Sequence, residues 1–459
     1  MAASSGALAR LATFVSAAAP PAAARRRAAA AVLDTIGVAL AGASEPASRI
    51  VQALLAADVG GGCTVLGTVA RSSAPGAALA NGTAAHALDY DDMCFVSLAH
   101  PSAPLVPALL AAGELTGAAG RALLDGYVVG FEVEARLGRA MNPRHYERGW
   151  HCTSTLGTIG AAAAVSRVLG LDAARTGHAL AVAASAAAGL KENFGTMAKP
   201  LHAGLAAQHG VLASRLAEGG LTASPLALDG PQGFLHAMDS QTSDLGPVLA
   251  DLGDRWEILD TGITVKLYPS CAGTHPALDA LLDLRHREAI APDAVDRIEI
   301  GVDAIAPTVL IHDRPASGLE AKFSMPFCAA AAIVDGRVGI DTFDDPKLRD
   351  SRITAMTSRV TMTVDPSLDP KAPPLTETRV RIVLRDGRSF EQASHGARGY
   401  PDRPASQAEL DAKFMACATR ALGQPAAADA LEVLRRIEAI DDVRALTARL
   451  RSAGPGGAQ

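Results

Sequence analysis

The chain is predicted to be mainly α with an α+β second domain, on three observations. From residue 5 to about 250, apolar residues recur at three- and four-residue intervals in alanine-rich runs broken by Gly and Pro, the period of helices that bury one face. After about residue 262, segments of alternating apolar and polar residues enter, the period of half-buried strands. From Ser406 the helical period returns, and this last segment is expected to pack back against the first. The expected divisions are 1–262 for the first helical part, 263–403 for the α+β domain, 404–451 for the returning helices, and 452–459 for a Gly-rich tail expected to be disordered.

At the start, Leu8, Leu11 and Phe14 fall at helical spacing, and Val32, Ile36 and Leu40 do so again after Arg25-Arg26-Arg27. Two packing helices account for this better than a transit peptide would. Further helices are expected at 103–117, 121–140, 155–169, 173–190 and 203–218, with stops at Gly170 and at Gly219-Gly220. The apolar run from His178 to Leu190 is far short of the roughly twenty residues that cross a bilayer, so it reads as a buried helix and no membrane partner is expected. In the middle section, strands are expected at 295–302, 360–364 and 379–384. Asp386-Gly387 then signals a hairpin turn into Ser389-Phe390-Glu391, and helices at about 275–288, 325–335 and 344–355 alternate with the strands.

Hydrophobic residues make up 49% of the chain and aromatics only 4%, so close packing must come from Ala, Val, Leu and Gly. The net charge of −6 and the lack of basic runs interleaved with aromatics exclude a nucleic-acid partner. Six scattered cysteines form no CxxC pair, which argues against disulfides or a structural metal and makes a reducing cytoplasm the expected setting. No GxGxxG follows an expected strand, and no GxxxxGK[ST] or GxSxG occurs. Dinucleotide, nucleoside-triphosphate and serine acyl-transfer chemistries therefore lack support. Neither a cofactor nor a metal is expected, and catalysis falls to side chains.

The densest chemistry lies in Ala85-His86-Ala87-Leu88-Asp89-Tyr90-Asp91-Asp92 and the following His100-Pro101-Ser102, where carboxylates and imidazoles are grouped in apolar surroundings. Such grouping shifts pKa values toward those acid-base catalysis needs. Bland readings stand beside this one: His86 and His202 can be ordinary helix residues, and Asp89, Asp91 and Asp92 can cap a helix or ligate a divalent cation. Gly149-Trp150-His151-Cys152-Thr153-Ser154 and Gly195-Thr196-Met197-Ala198-Lys199-Pro200-Leu201-His202 each sit ahead of an expected helix. Lys266-Leu267-Tyr268-Pro269-Ser270-Cys271 through His275 and Phe323-Ser324-Met325-Pro326-Phe327 complete the set. Helix N-termini favour carboxylates, and Lys199 and Lys266 would add full charges, so a di- or tricarboxylate is the expected ligand. Cys271, with His275 four residues on, is a weak nucleophile candidate, because a small buried Cys is the commoner case.

Together these stretches resemble the MmgE/PrpD family, whose members include 2-methylcitrate dehydratases, cis-aconitate decarboxylases and an iminodisuccinate epimerase. The resemblance runs from Asp34-Thr35-Ile36-Gly37 to Ala408-Glu409-Leu410-Asp411-Ala412-Lys413-Phe414. It implies a large all-helical domain built from both chain ends, a smaller α+β lid, an active site between them, a homodimer and no cofactor. The decarboxylase-like catalytic pattern falls on Asp89, His100, His151, Lys199 and Lys266. Met93 stands where that pattern has Thr, Cys271 where it has His and Phe327 where it has Tyr, which counts against decarboxylation. The epimerase-like pattern falls on Tyr146 and Lys266 as opposed bases. Asp91, Ser102, Thr153, Ser154, His202, Cys271 and Phe327 are the candidate substrate contacts. The expected function is a cofactor-independent lyase of the 2-methylcitrate dehydratase type. An epimerase of an amino- or hydroxy-dicarboxylate is the alternative, a cis-aconitate decarboxylase-like enzyme another, and a non-catalytic binding protein the reading from a different class.

Overall fold

The computed structural model describes residues 6–56, 60–368 and 377–452, and they form two compact units. The tail expected to be disordered lies, apart from Ser452, outside the described residues. The first unit takes residues 1–87, 91–263 and 406–459; the second takes 88–90 and 264–405. The chain is thus mainly α, with a smaller α+β part.

In the first unit the helices are α1 (Ala7–Ala17), α2 (Ala22–Gly42), α3 (Pro46–Ala56), α4 (Ala74–His86), α5 (Ser102–Thr116) and α6 (Gly120–Met141), followed by α7 (Arg144–Glu147), α8 (Cys152–Val168), α9 (Ala173–Ala186) and α10 (Ala198–Glu218). The returning segment supplies Gln407–Leu422 and Gln424–Leu434. The first of these packs on α2, where Phe414 faces Gly37 and Lys413 pairs with the buried Asp34 at 2.7 Å. Helix α4 is buried from Gly76 to His86, and its mostly small side chains, Ala, Gly, Asn and Thr apart from Leu79 and His86, let it sit there without crowding its neighbours. Its Gly82 meets Gly204 of α10 backbone to backbone, and a Cβ there would lie 2.8 Å from the Gly204 Cα. Among the described residues no single helix is long and apolar enough to cross a membrane.

Two expectations are corrected here. The run 178–190 is not one helix: α9 stops at Ala186, and Gly189 at φ +139° carries the chain into a bridge between Leu190 and Trp150. The backbone gains its hydrogen bonds elsewhere, His151 N–H donating to the Gly189 carbonyl at 3.0 Å and Lys191 N–H to that of Gly149 at 2.8 Å. A short hairpin, β1 (Cys63–Thr64) with β2 (Arg71–Ser72), was not expected in a helical stretch; each strand is too short for alternation to register.

The second unit holds β3 (Val295–Val302), β4 (Val360–Val364), β5 (Glu377–Leu384) and β6 (Ser389–His395) in the order β4-β3-β5-β6. β3 runs parallel to β4 and antiparallel to β5, and β5 turns into β6 through Asp386-Gly387, with Gly387 at φ +90° as a tight hairpin requires. Val295, Ile298, Ile300 and Val302 point inward, and the helices His275–Arg287 and Met325–Asp335 pack on the sheet. The helix expected at 344–355 is two short ones, Asp345–Leu348 and Ser351–Thr357, since Asp350 caps the second through Arg352 N–H.

Candidate active site

Four helix ends of the first unit place their polar residues together. Helix α4 ends at His86, α5 begins just after His100, α8 begins just after His151, and α10 carries Lys199 and His202 in its first turns. Lys199 and His202 therefore lie inside the helix that they were expected to precede. The ends are tied to one another: the His100 backbone N–H donates to Thr153 Oγ1 at 3.0 Å, and Ser154 Oγ donates to the His202 carbonyl at 3.3 Å. The His151 and His202 rings meet through their Nδ1 atoms at 3.1 Å. His86 stands 4.6 Å from His100 and 5.7 Å from His151, ring centre to ring centre. Phe194 closes on both His151, at 5.0 Å between rings, and the Lys199 ammonium, 5.3 Å from its centroid.

Burial sets the charge state of this group. Burial pushes His86 down to about 4 against the pull of Asp91, and Lys199 adds to the push. His151 is held well below the ordinary imidazole range by burial, then by Lys199 and the neighbouring histidines, and burial and Lys199 also lower His202. These rings are neutral bases near neutral pH, beside a buried ammonium. The Nε2 atoms of His86 and His151 are buried with no hydrogen-bond partner among the described residues.

The two adjacent carboxyls take opposite states. Burial raises Asp91, but His86 and His100 outweigh it and hold that carboxyl well below the usual range. Asp92 is raised to about 8 by burial, against its bonds from Ser102. The Ser102 N–H donates to Asp92 Oδ1 at 3.2 Å and its hydroxyl to Oδ2, while Ser102 also meets the Tyr127 hydroxyl. Ser102, expected at the substrate, is thus occupied with Asp92, which serves the first residue of α5 as a helix cap would. An acid and a base side by side, separated by environment alone, is the arrangement that proton-transfer chemistry uses.

The second unit holds Asp89, Lys266, Cys271 and Phe327. Lys266 Nζ donates at 2.9 Å to both the side chain and the backbone carbonyl of Asp89. Lys322 donates to the Leu88 carbonyl and, at 3.3 Å, to that of Pro269, and its own carbonyl accepts from Cys271 N–H at 2.9 Å. Phe327 lies in the first turn of Met325–Asp335, its N–H capped by Ser324 Oγ at 3.2 Å and its ring 6.0 Å from Phe343. Cys271 is buried, as are all six cysteines, which fits packing better than nucleophilic attack. Tyr146 is engaged within α7 and with Lys191, whose Nζ lies 3.5 Å from its ring centre and donates to its carbonyl at 3.2 Å.

His86 was open to a bland reading, Asp92 was read only as a possible helix cap or cation ligand, and Lys322 carried no assigned role. One His in an alanine helix gives no local signal; only the pairing with Asp91, five residues on, marks it. For a metal, His86, Asp91 and His100 are the residues that could serve as ligands. As they stand, Asp91 Oδ2 faces the Nδ1 atoms of both rings, and a cation there would have to displace those contacts.

Comparison with known proteins agrees with this arrangement of elements. The MmgE/PrpD N-terminal domain matches residues 6–244 and the MmgE/PrpD C-terminal domain matches 268–439. The chain belongs to the MmgE/PrpD family. Among its relatives, a cis-aconitate decarboxylase of Homo sapiens is 30% identical over 391 residues, covering 83% of this chain and 80% of that protein. One of Mus musculus is 30% identical over 392 residues, 82% and 78% respectively. One of Aspergillus terreus is 28% identical over 389 residues, covering 79% of this chain and 78% of that protein.

Proposed function

We propose that the chain is a lyase acting on a small tricarboxylate by acid-base chemistry at a carbon next to a carboxylate, most simply a dehydratase of the 2-methylcitrate type. The observation that carries this is the buried Lys199 among neutral imidazoles beside the N-terminus of α8, whose N-cap residue His151 makes no side-chain cap. Free N–H groups, the helix dipole and the ammonium together suit a carboxylate, and the same charges stabilise an electron pair developing beside it. A neutral imidazole of this group takes the proton from that carbon. The electron pair left behind forms the double bond as the carbon–oxygen bond breaks, and the hydroxyl departs as water with the returned proton. Proton transfer of this kind contributes roughly 10²- to 10⁴-fold to rate.

A second reading, decarboxylation, is favoured by the names of the relatives. There a carbon–carbon bond breaks, CO2 leaves, the bond's electron pair stays on carbon, and that carbon takes a proton supplied from solvent through an imidazole of this group. Met93, Cys271 and Phe327, where the decarboxylase-like pattern has polar groups, weigh toward dehydration.

The test is one set of incubations with 2-methylcitrate, citrate and cis-aconitate, followed by proton NMR and trapped CO2, in D2O. A new double bond from a hydroxy acid without CO2 supports dehydration. CO2 from cis-aconitate replaces it with decarboxylation, and deuterium entry at the α-carbon without elimination points to an epimerase. No change in any acid at high enzyme concentration removes the lyase reading.

A further inference from the structure

The connection from α9 to α10, residues 187–197, carries three large apolar side chains, Leu190, Phe194 and Met197. Two of its polar side chains are engaged locally. Lys191 Nζ sits over the Tyr146 ring and donates to the Tyr146 carbonyl, while Thr196 Oγ1 donates to the Asn193 carbonyl at 2.8 Å and accepts from Ala198 N–H at 3.2 Å. The apolar side chains are less covered: Leu190 is 51% exposed, Met197 is 46% exposed, and Phe194 is partly buried.

Single exposed apolar residues are ordinary on a protein surface. These three differ in where they lie. Leu190 forms a bridge with Trp150, the chain neighbour of His151, and Met197 is the N-cap residue of α10, two positions before Lys199. Phe194 stands between them in the chain, its ring edge-on to His151 at 5.0 Å and its centroid 5.3 Å from the Lys199 ammonium. Gly189 and Gly195, at φ +139° and +82°, turn the backbone on either side of Phe194. An apolar shelf thus borders the group of imidazoles and ammonium.

A ligand matched to both surfaces carries two kinds of group. The charged side takes a carboxylate, and the shelf takes hydrocarbon, since apolar surface gains by leaving water. Citrate has no group to lay on the shelf, and a methyl group covers little of three large side chains. We propose that Leu190, Phe194 and Met197 form a specificity shelf for an alkyl arm, so that the preferred acid is a 2-alkyl hydroxy-tricarboxylate with an arm longer than one carbon. Turnover of such an acid rests on the lyase reading; its binding does not. The arm lies outside the bonds that change, so the dehydration is balanced as already described.

The experiment uses full-length protein and two ligand series. The first is citrate with its 2-methyl, 2-ethyl, 2-propyl and 2-butyl homologues, read as kcat/KM. The second is succinate with its 2-methyl to 2-butyl homologues, read as affinity by calorimetry. Both quantities are expected to rise about three- to fourfold per added CH2, the scale of one buried methylene. The double variant Leu190→Ser with Met197→Ser, and separately Phe194→Ala, are expected to flatten the rise whatever they do to the absolute rate. Ile50→Ser, an equally exposed apolar site on α3, is expected to leave the rise unchanged. Circular dichroism melts and sizing chromatography accompany each variant. A rate and an affinity that stay level or fall as the arm lengthens overturn the proposal, as does a rise that persists undiminished in both shelf variants. A double variant that changes oligomeric state and keeps the rise assigns the shelf to a second copy of the chain and overturns it too. Affinity that rises with the arm while no tricarboxylate is turned over removes the lyase reading and leaves the shelf standing.

Discussion

Lys266 reaches Asp89 twice, with Nζ 2.9 Å from the carboxylate Oδ2 and 2.9 Å from the backbone carbonyl of the same residue. Asp89 sits at φ +51°, a left-handed conformation that Asp tolerates and most side chains do not. One buried ammonium thus holds both the charge and the backbone bend of its partner.

Removing half of that pair should cost more than removing all of it. Lys266→Met leaves a buried carboxylate without its cation and is expected to lose about 3–5 kcal/mol of stability, while the double variant with Asp89→Asn recovers part of the loss. Urea unfolding of the three variants checks this, and equal losses for the single and double variants would show that the pair is not coupled.

Asp92 makes stability depend on pH in a stated direction. An unfolded Asp titrates near 3.9 and the folded Asp92 near 8, so between those values the folded state holds the extra proton and its contribution to stability falls as pH rises. Asp92→Asn keeps the bonds to Ser102 without titrating. Its melting temperature relative to wild type is expected to climb steadily from pH 4 to pH 8 and then level off; a difference that stays flat across that range contradicts the protonated state.

Gly189 is where backbone and site touch. At φ +139°, an added Cβ would lie 2.8 Å from Ser154 Cβ and 3.5 Å from the His202 ring. Gly189→Ala is expected to cost about 1–3 kcal/mol and to lower kcat/KM by more than that stability loss explains, because Ser154 and His202 must shift. Circular dichroism melts and steady-state rates together decide it.

Lys199 tests the carboxylate reading directly. Lys199→Met keeps the length of the side chain and removes its charge. It is expected to lower kcat/KM for the turned-over acid about 10²- to 10³-fold and to raise the pKa of His151, which Lys199 now lowers. A histidine titration followed by NMR that does not move would separate Lys199 from the site.

Much of the fold was legible in the chain. Alternation at 295–302 and the turn at Asp386-Gly387 marked strands that form, because period two and a left-handed glycine are local properties. The break of α9 was not legible, since alanine favours a helix and the competing bonds come from Gly149 and His151, distant in sequence. His100, His151 and Lys199 stood out as polar residues at helix starts. His86 did not, because its meaning lies in a partner beyond its own helix; nor did Lys322, which is spent on two backbone carbonyls.

The meeting of Gly82 and Gly204 has a consequence for how His86 and Lys199 are held. Each glycine sits a few residues from the helix end that bears one of these groups, and where main chain rests on main chain no rotamer can flex to absorb a misfit. The spacing between imidazole and ammonium is therefore gauged by the two helix axes themselves, and a single methyl group added at either contact would act as a shim, resetting that spacing without altering any group that does chemistry.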